Sequence, residues 1–134
     1  MKEIHFCEEC GTSYGVEDHH IVFLSQVAPL DKCKANHAWL CHYHHRDHKA
    51  GVHHNDYLDN KYKLRFQNWL EMKFLKESFT LDEIQKVLGI SSIAVNKLSK
   101  HMWSKDGKYA REDIIRSCMG GRLILEDEIE EVME

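Results

Sequence analysis

Polar and apolar residues alternate over 17–24 (EDHHIVFL), and the β-branched pair inside that run predicts a strand bearing His19 and His20 side by side. An irregular stretch follows over 25–36 (SQVAPLDKCKAN). A short second strand, HAWLC at 37–41, leads into a helix from about His44. Over 60–77 the residues Leu64, Trp69 (or Phe66), Leu70 and Phe74 recur at helical spacing and predict a core-facing helix. Thr80 with Glu83 has the spacing of a capping box that opens the next helix, Gly89 ends it, and a further helix starts at Ser91. Ile84, Leu88, Ile90, Val95 and Leu98 fill the apolar slots of this helix pair, and a DG turn at 106–107 sits in a short wing before a last helix. The expected class is α+β: a mixed unit over 1–77, a small mostly helical unit over 78–122 and an acidic tail over 123–134.

With 134 residues the chain has room for one domain or two very small ones, and a module of half that size profits from a metal or disulfide staple. No apolar run reaches the roughly 18 residues of a membrane span, and MKEIHFCEEC lacks a signal-peptide core, so a cytoplasmic protein without a membrane partner is expected. In that reducing compartment five cysteines point to metal rather than to disulfides. The net charge of −4 argues at first against nucleic acid, but its distribution alters the picture. Residues 79–125 hold eight Lys or Arg against five Asp or Glu, while the last nine hold six acids and no base. Charge therefore permits a DNA partner without demanding one.

Cys7 and Cys10 form a C-x-x-C followed by Gly11, and Cys41 with His44 supplies the matching C-x-x-H. Together they make a Cys3His set of the kind that closes structural zinc sites, the bland alternative being a redox pair or plain turn residues. Cys33 and Cys118 have no partner at ligand spacing. Five histidines crowd into residues 40–53, so zinc use of His44 leaves His45, His48 and His53 to explain, beside His19 and His20. Neighbouring strand residues point to opposite faces, so the last two share a role only if the strand kinks.

DHHI at 18–21, Asn36, and LCHYHH at 40–45 in that order resemble the HNH endonucleases, the His-Me-finger or ββα-metal nucleases. GVH at 51–53 and the later FQNWLEMKF are similar to small phage-type members, and the resemblance spans about residues 7–75. It implies a zinc-stapled, treble-clef-like ββα-metal unit. It implies His20 as general base, Asn36 holding the loop and orienting His20 by hydrogen bonding, and His19 and His45 as ligands of a catalytic divalent ion, Mg2+ or Mn2+. The products would be 5′-phosphate and 3′-hydroxyl ends. Many members have another ligand four residues after the helix His; that position here is Lys49, so His53, reached through a loop at Gly51, is preferred, with His48 as the substitute. Arg46 could touch a phosphate, though a plain surface Arg is the commoner reading. His37, His42 and His54 read as surface histidines.

Residues 79–120 resemble the helix-turn-helix, wing and following helix of excisionase-like and MerR-like DNA binders, with Gln85 departing from the small residue usual at the helix crossing. The resemblance implies that Ser91, Ser92, Asn96 and Lys97 face a major groove, with Lys100, Lys105 and Lys108 near phosphates. A helical hairpin that merely packs on the first unit is the alternative. The expected protein is then a double-stranded-DNA endonuclease, by resemblance of phage or mobile-element origin. Leu125, Ile129, Val132 and Met133 could form a homodimer stripe, against the plainer reading of a solvated acidic helix. A non-catalytic, zinc-containing DNA-binding regulator is the alternative function. A metal store or sensor leaves Asn36 and the paired strand histidines unexplained.

Overall fold

The computed structural model describes residues 3–125, a mixed α+β arrangement with two small sheets. β1 (Val16–His20) pairs antiparallel with β2 (His37–Cys41), Val16 opposite Cys41 and His20 opposite His37. The strand expected to run to residue 24 stops at His20. Beyond it the Ile21 N–H donates to the Asn36 carbonyl (2.7 Å), and the Asn36 side chain binds Val22 through both its N–H (2.7 Å) and its carbonyl (3.1 Å). The connection between the strands contains two 3-10 turns, Ala28–Leu30 and Lys34–Asn36.

α1 (His42–Arg46) begins two residues before the expected start and is five residues long. α2 spans Asp56–Lys73, earlier than the predicted 60–77, because the Asn55 side chain caps it by accepting from the Leu58 N–H. That start puts Leu58, Tyr62, Phe66 and Leu70 on the buried face, so Phe66 takes the core position while Leu64 and Trp69 are only partly buried. Phe74 is buried at the end of the helix, as expected.

The second half begins with β3 (Ser78–Thr80), a strand the sequence pattern did not announce, followed by α3 (Leu81–Leu88) and α4 (Ser92–Ser99). β4 (Ser104–Lys105) and β5 (Lys108–Ala110) form the wing, and α5 (Arg111–Cys118) closes it; β5 lies between β3 and β4. The wing turns on Asp106 and Gly107, whose φ angles of 55° and 76° are the two positive values a tight hairpin turn requires. The capping box forms as the spacing predicts: the Thr80 hydroxyl accepts from the Glu83 N–H (3.2 Å) and the Glu83 carboxylate from the Thr80 N–H (2.9 Å). Gly89 ends α3 in the left-handed region (φ 68°), and all five expected apolar slots of the pair are buried.

The two parts share one apolar core. α4 packs on the 3-10 turn at Ala28–Leu30, and α2 meets α5. Gln67 of α2, buried among apolar neighbours, bonds both backbone groups of Ile124 (2.7 and 3.0 Å) and fastens the end of the described chain to the core. Ile129, Val132 and Met133 of the proposed homodimer stripe lie outside the described residues, whereas Leu125 is exposed. Among the described residues no helix is long and apolar enough to cross a membrane.

Replacing Thr80 with Ala removes the N-cap acceptor and should cost about 1 kcal/mol of stability, measured as a lower urea midpoint at unchanged slope.

Candidate metal centres

The first group is built by a turn and a helix start. Cys7 and Cys10 stand in a loop closed by Gly11 N–H to the Cys7 carbonyl (2.9 Å) and Cys7 N–H to the Thr12 carbonyl (2.8 Å), with Gly11 at φ 79°. The loop is held against β2 by bonds between Glu8 and Trp39 in both directions, and against α2 by Lys61 and Tyr62, which both bind the Glu9 carboxylate. Cys41 ends β2 and His44 lies in α1. The four ligand atoms lie within 4.8 Å of one another. Cys10 Sγ is 3.8 Å from Cys41 Sγ, and His44 Nδ1 is 3.3 Å from Cys41 Sγ and 3.7 Å from Cys7 Sγ. Thiolate–zinc bonds of about 2.3 Å imply a tetrahedral S–S edge of about 3.8 Å, so the spacing fits.

The charge state fits too. Burial opposes ionisation of Cys7, but backbone N–H groups of Cys41, Cys10 and Glu9 outweigh it and hold the thiol at about 6. Cys41 is pushed the other way, by burial first and then by the neighbouring Cys7 and Cys10 thiols. Three thiolates cannot crowd together without a cation, so this Cys3His group can hold a structural metal ion.

A second group gathers His19, His45 and His53, again with one ligand atom each within 4.8 Å of the others. His19 is buried on β1, and its Nε2 has no hydrogen-bond partner. His45 Nε2 lies 2.9 Å from His53 Nε2, while His45 Nδ1 donates to the Glu17 carboxylate at 3.0 Å. An ionised carboxylate only accepts, so Nδ1 carries a proton and Nε2 is the nitrogen turned toward His53, the orientation in which a carboxylate aims the other ring nitrogen at a metal. Arg46 forks onto the same Glu17 (2.9 and 3.0 Å), and this, against the penalty of burial and with help from His45, holds the carboxyl down to about 2. Burial, then the nearby His45 and His53 rings, lower His19 to about 3; burial and His45 lower His53 as well. Three imidazoles with converging nitrogens, His19 and His53 held toward the neutral form, can serve as metal ligands, and imidazole donors suit zinc, nickel, copper or iron better than magnesium.

Gly51 brings His53 back to α1. A Cβ there would sit 2.5 Å from the Asp47 nitrogen and 2.6 Å from its oxygen, so only glycine permits the reversal, which Val52 N–H to the His44 carbonyl (2.7 Å) then locks. His48 lies outside the group and packs its ring beside that of His54, at 5.2 Å between centroids; of the two alternatives, His53 is the one the fold brings in.

His20 ends β1 and is not among the three clustered rings. Its Nε2 contacts the Asp31 carboxylate at 2.9 Å, and its ring leans on His37 with centroids 4.5 Å apart. The expected hydrogen bond from Asn36 to His20 is absent among the described contacts, because the Asn36 amide is spent on the Val22 backbone; Asn36 holds the loop and Asp31 orients the ring. His37, read as a surface residue, is half-buried between the Asp18 carboxylate (2.7 Å) and the Asp31 carbonyl (2.6 Å). His42 and His54 are exposed, as expected. Arg46 keeps an exposed side chain, but its guanidinium is tied to Glu17 rather than left for a phosphate.

Glu17 and Asp31 were not singled out in the sequence. The first had a signal, since strand alternation puts Glu17 on the face of His19, two residues on. Asp31 sits in irregular chain and had none. Of the α4 residues, Ser91 accepts from the Ala94 N–H and Asn96 donates to the Ser92 carbonyl, so both serve the helix itself; Ser92, Lys97 and Lys100 are exposed. Lys105 and Lys108 are exposed in the wing.

Comparison with protein-family models, with curated proteins and with solved structures finds no match to this chain.

Metal analysis of purified Cys41→Ser should show the loss of one tightly held ion per chain, with a lower urea midpoint; unchanged metal content would remove the Cys3His assignment. A second expectation concerns acid. His19 is depressed in the fold, so between about pH 3 and 6.5 the unfolded chain binds more protons and stability rises with pH. The urea midpoint should therefore fall as pH drops below 6.5, and fall less steeply in His19→Asn.

Proposed function

We propose that the protein is a metal-dependent DNA endonuclease of the HNH type, with a zinc-stapled, treble-clef-like ββα-metal unit followed by a helix-turn-helix. The observation that carries this reading is the buried, partnerless Nε2 of His19 beside His45 and His53, one residue from the more exposed His20. A metal ion, an attacking water and a base are the parts that phosphodiester hydrolysis requires.

His19, His45 and His53 would hold a divalent ion, which when bound would supply charge stabilisation for the phosphoryl oxygen and the leaving 3′ oxygen. Three imidazoles and no directly ligating carboxylate place Mn2+ ahead of Mg2+ among the expected ions, and borderline ions such as Zn2+ or Ni2+ ahead of both. His20 acts from the other side. With Nε2 engaged by Asp31, the ring offers Nδ1 to take a proton from water. The water oxygen forms the new bond to phosphorus, the bond to the 3′ oxygen breaks, and that oxygen takes a proton from solvent. A 5′-phosphate and a 3′-hydroxyl remain.

The buried apolar slots of α3 and α4, the glycine turn between them and the two-residue wing turn support the helix-turn-helix reading. Packing of α4 on Ala28–Leu30 ties any DNA bound by that helix closely to the metal-binding half.

Supercoiled plasmid is the test. Zinc-replete protein with added Mn2+, Ni2+ or Mg2+ should nick it, a chelator should stop the reaction, and His20→Ala should lower the rate by about 100-fold or more. If wild type and His20→Ala both retard the plasmid on a gel without cutting it under any metal, the protein is the non-catalytic zinc-containing DNA-binding regulator instead.

A further inference from the structure

α4 and α5 end beside the chain that leaves β1, and a cavity of about 670 Å3 opens between them. Residues 24–29 form one wall. Lys97 and Lys100 at the end of α4, His101 just beyond it, and Arg116 near the end of α5 form the other. No carboxylate is among the lining residues, although the chain as a whole is acidic. Among the described residues none of Lys97, Lys100 and Arg116 enters an ion pair.

Offsetting helix dipoles does not account for these cations. Each helix C-terminus presents roughly half a negative charge, so the two ends offset about one positive charge. Three permanent cations leave a surplus of roughly two, before His101 is considered. The groove is also built, not incidental. Gly120 takes a left-handed φ of 71°, which favours glycine, and its Cβ position lies in ordinary packing contact with Gln26, Val22 and Val27, at 3.4, 3.6 and 3.7 Å. The α5 end is thereby packed onto the strand exit.

A smaller depression of about 250 Å3 adjoins the groove. It shares Ala28, Pro29 and Lys97 with the larger cavity and reaches Asp31, the residue bound to His20. Lys97 thus stands between the cationic groove and the base proposed above.

We propose that this groove binds the phosphodiester backbone of DNA, with Lys97, Lys100 and Arg116 each neutralising a phosphate and the strand continuing past Lys97 toward His20. The choice of DNA as the polymer rests on the endonuclease reading; the cationic groove does not. It assigns a phosphate contact to Arg116, which lies outside the helix pair, and makes Lys97 a backbone contact rather than a reader of base edges.

The test is the salt dependence of duplex binding. Zinc-replete His20→Ala protein is titrated against a labelled duplex over a range of NaCl concentrations, alone and with Lys97→Gln, Lys100→Gln and Arg116→Gln singly and together. Lys73→Gln, the same charge change on exposed α2 surface, is the control. Each groove substitution should weaken binding and reduce the log K against log salt slope by about 0.9, and Lys97→Arg should restore it. Equal effects of the groove variants and Lys73→Gln, or no duplex binding by the parent, would overturn the proposal. So would inorganic phosphate displacing the duplex at millimolar concentration with the slopes unaltered, since that marks a site for a small anion. Nicking by the otherwise wild-type groove variants separates the two readings. Intact salt effects without nicking in the wild type sink only the nuclease, and normal nicking with unchanged slopes sinks only the groove.

Discussion

Five residue pairs join β1 to β2, and their register decides which side chains can meet. Val16 opposite Cys41 sets the strand end that faces Cys10, His19 opposite Ala38 turns one imidazole inward, and His20 opposite His37 stacks another on its cross-strand neighbour. A slip of one residue would send His19 to solvent and carry Cys41 away from the knuckle. A two-stranded ladder of this length is marginal by itself in water. It is held by what surrounds it: the Asn36 amide beyond one end, the Glu8–Trp39 bonds along one edge, and the Cys3His group at the other end. The short sheet and the side chains that could hold metal are therefore one construction problem with one solution.

α1 shows the same economy. A five-residue helix has no stability of its own, since nucleation consumes what so few hydrogen bonds return. It is fastened at its start by His42 N–H to the Gly15 carbonyl, at its middle by Val52 N–H to the His44 carbonyl, and at its end by the Glu17–Arg46 fork. From this pinned turn two consecutive residues reach different groups, His44 toward the cysteines and His45 toward His19 and His53. Glu17 serves both as Arg46's partner and as the acceptor of the His45 Nδ1–H bond, so one carboxylate steadies the helix and the ring together.

Features whose physics is local were legible in the sequence. The C-x-x-C and C-x-x-H pairs taken singly, the Thr80–Glu83 box, the Gly89 stop and the Asp106–Gly107 turn each depend on a few neighbouring residues, and each stands where its spacing put it; the meeting of the two pairs across 31 residues is the exception, legible through ligand chemistry alone. Features that depend on distant partners were not. The α2 face was misjudged because its first turn, DYLDN, looks polar, and because Tyr62 hides its hydroxyl on Glu9, 53 residues away. Asn36 was expected to serve His20, yet nothing in the sequence says that its amide would be taken by Val22. Asp31 lies in a stretch with no period, and β3 is only three residues long, too short to register as alternation.

Gly51 has a consequence for how this chain can vary. A single methyl group there would collide with the backbone of Asp47, and no flexible side-chain end is available to give way. The ring of His53 arrives where it does only because the main chain doubles back within touching distance of α1. The path of the chain into His53 depends on the missing Cβ at residue 51 rather than on the imidazole it delivers. Descendants of a common ancestor would thus be recognised by an unvarying glycine before they were recognised by their imidazoles.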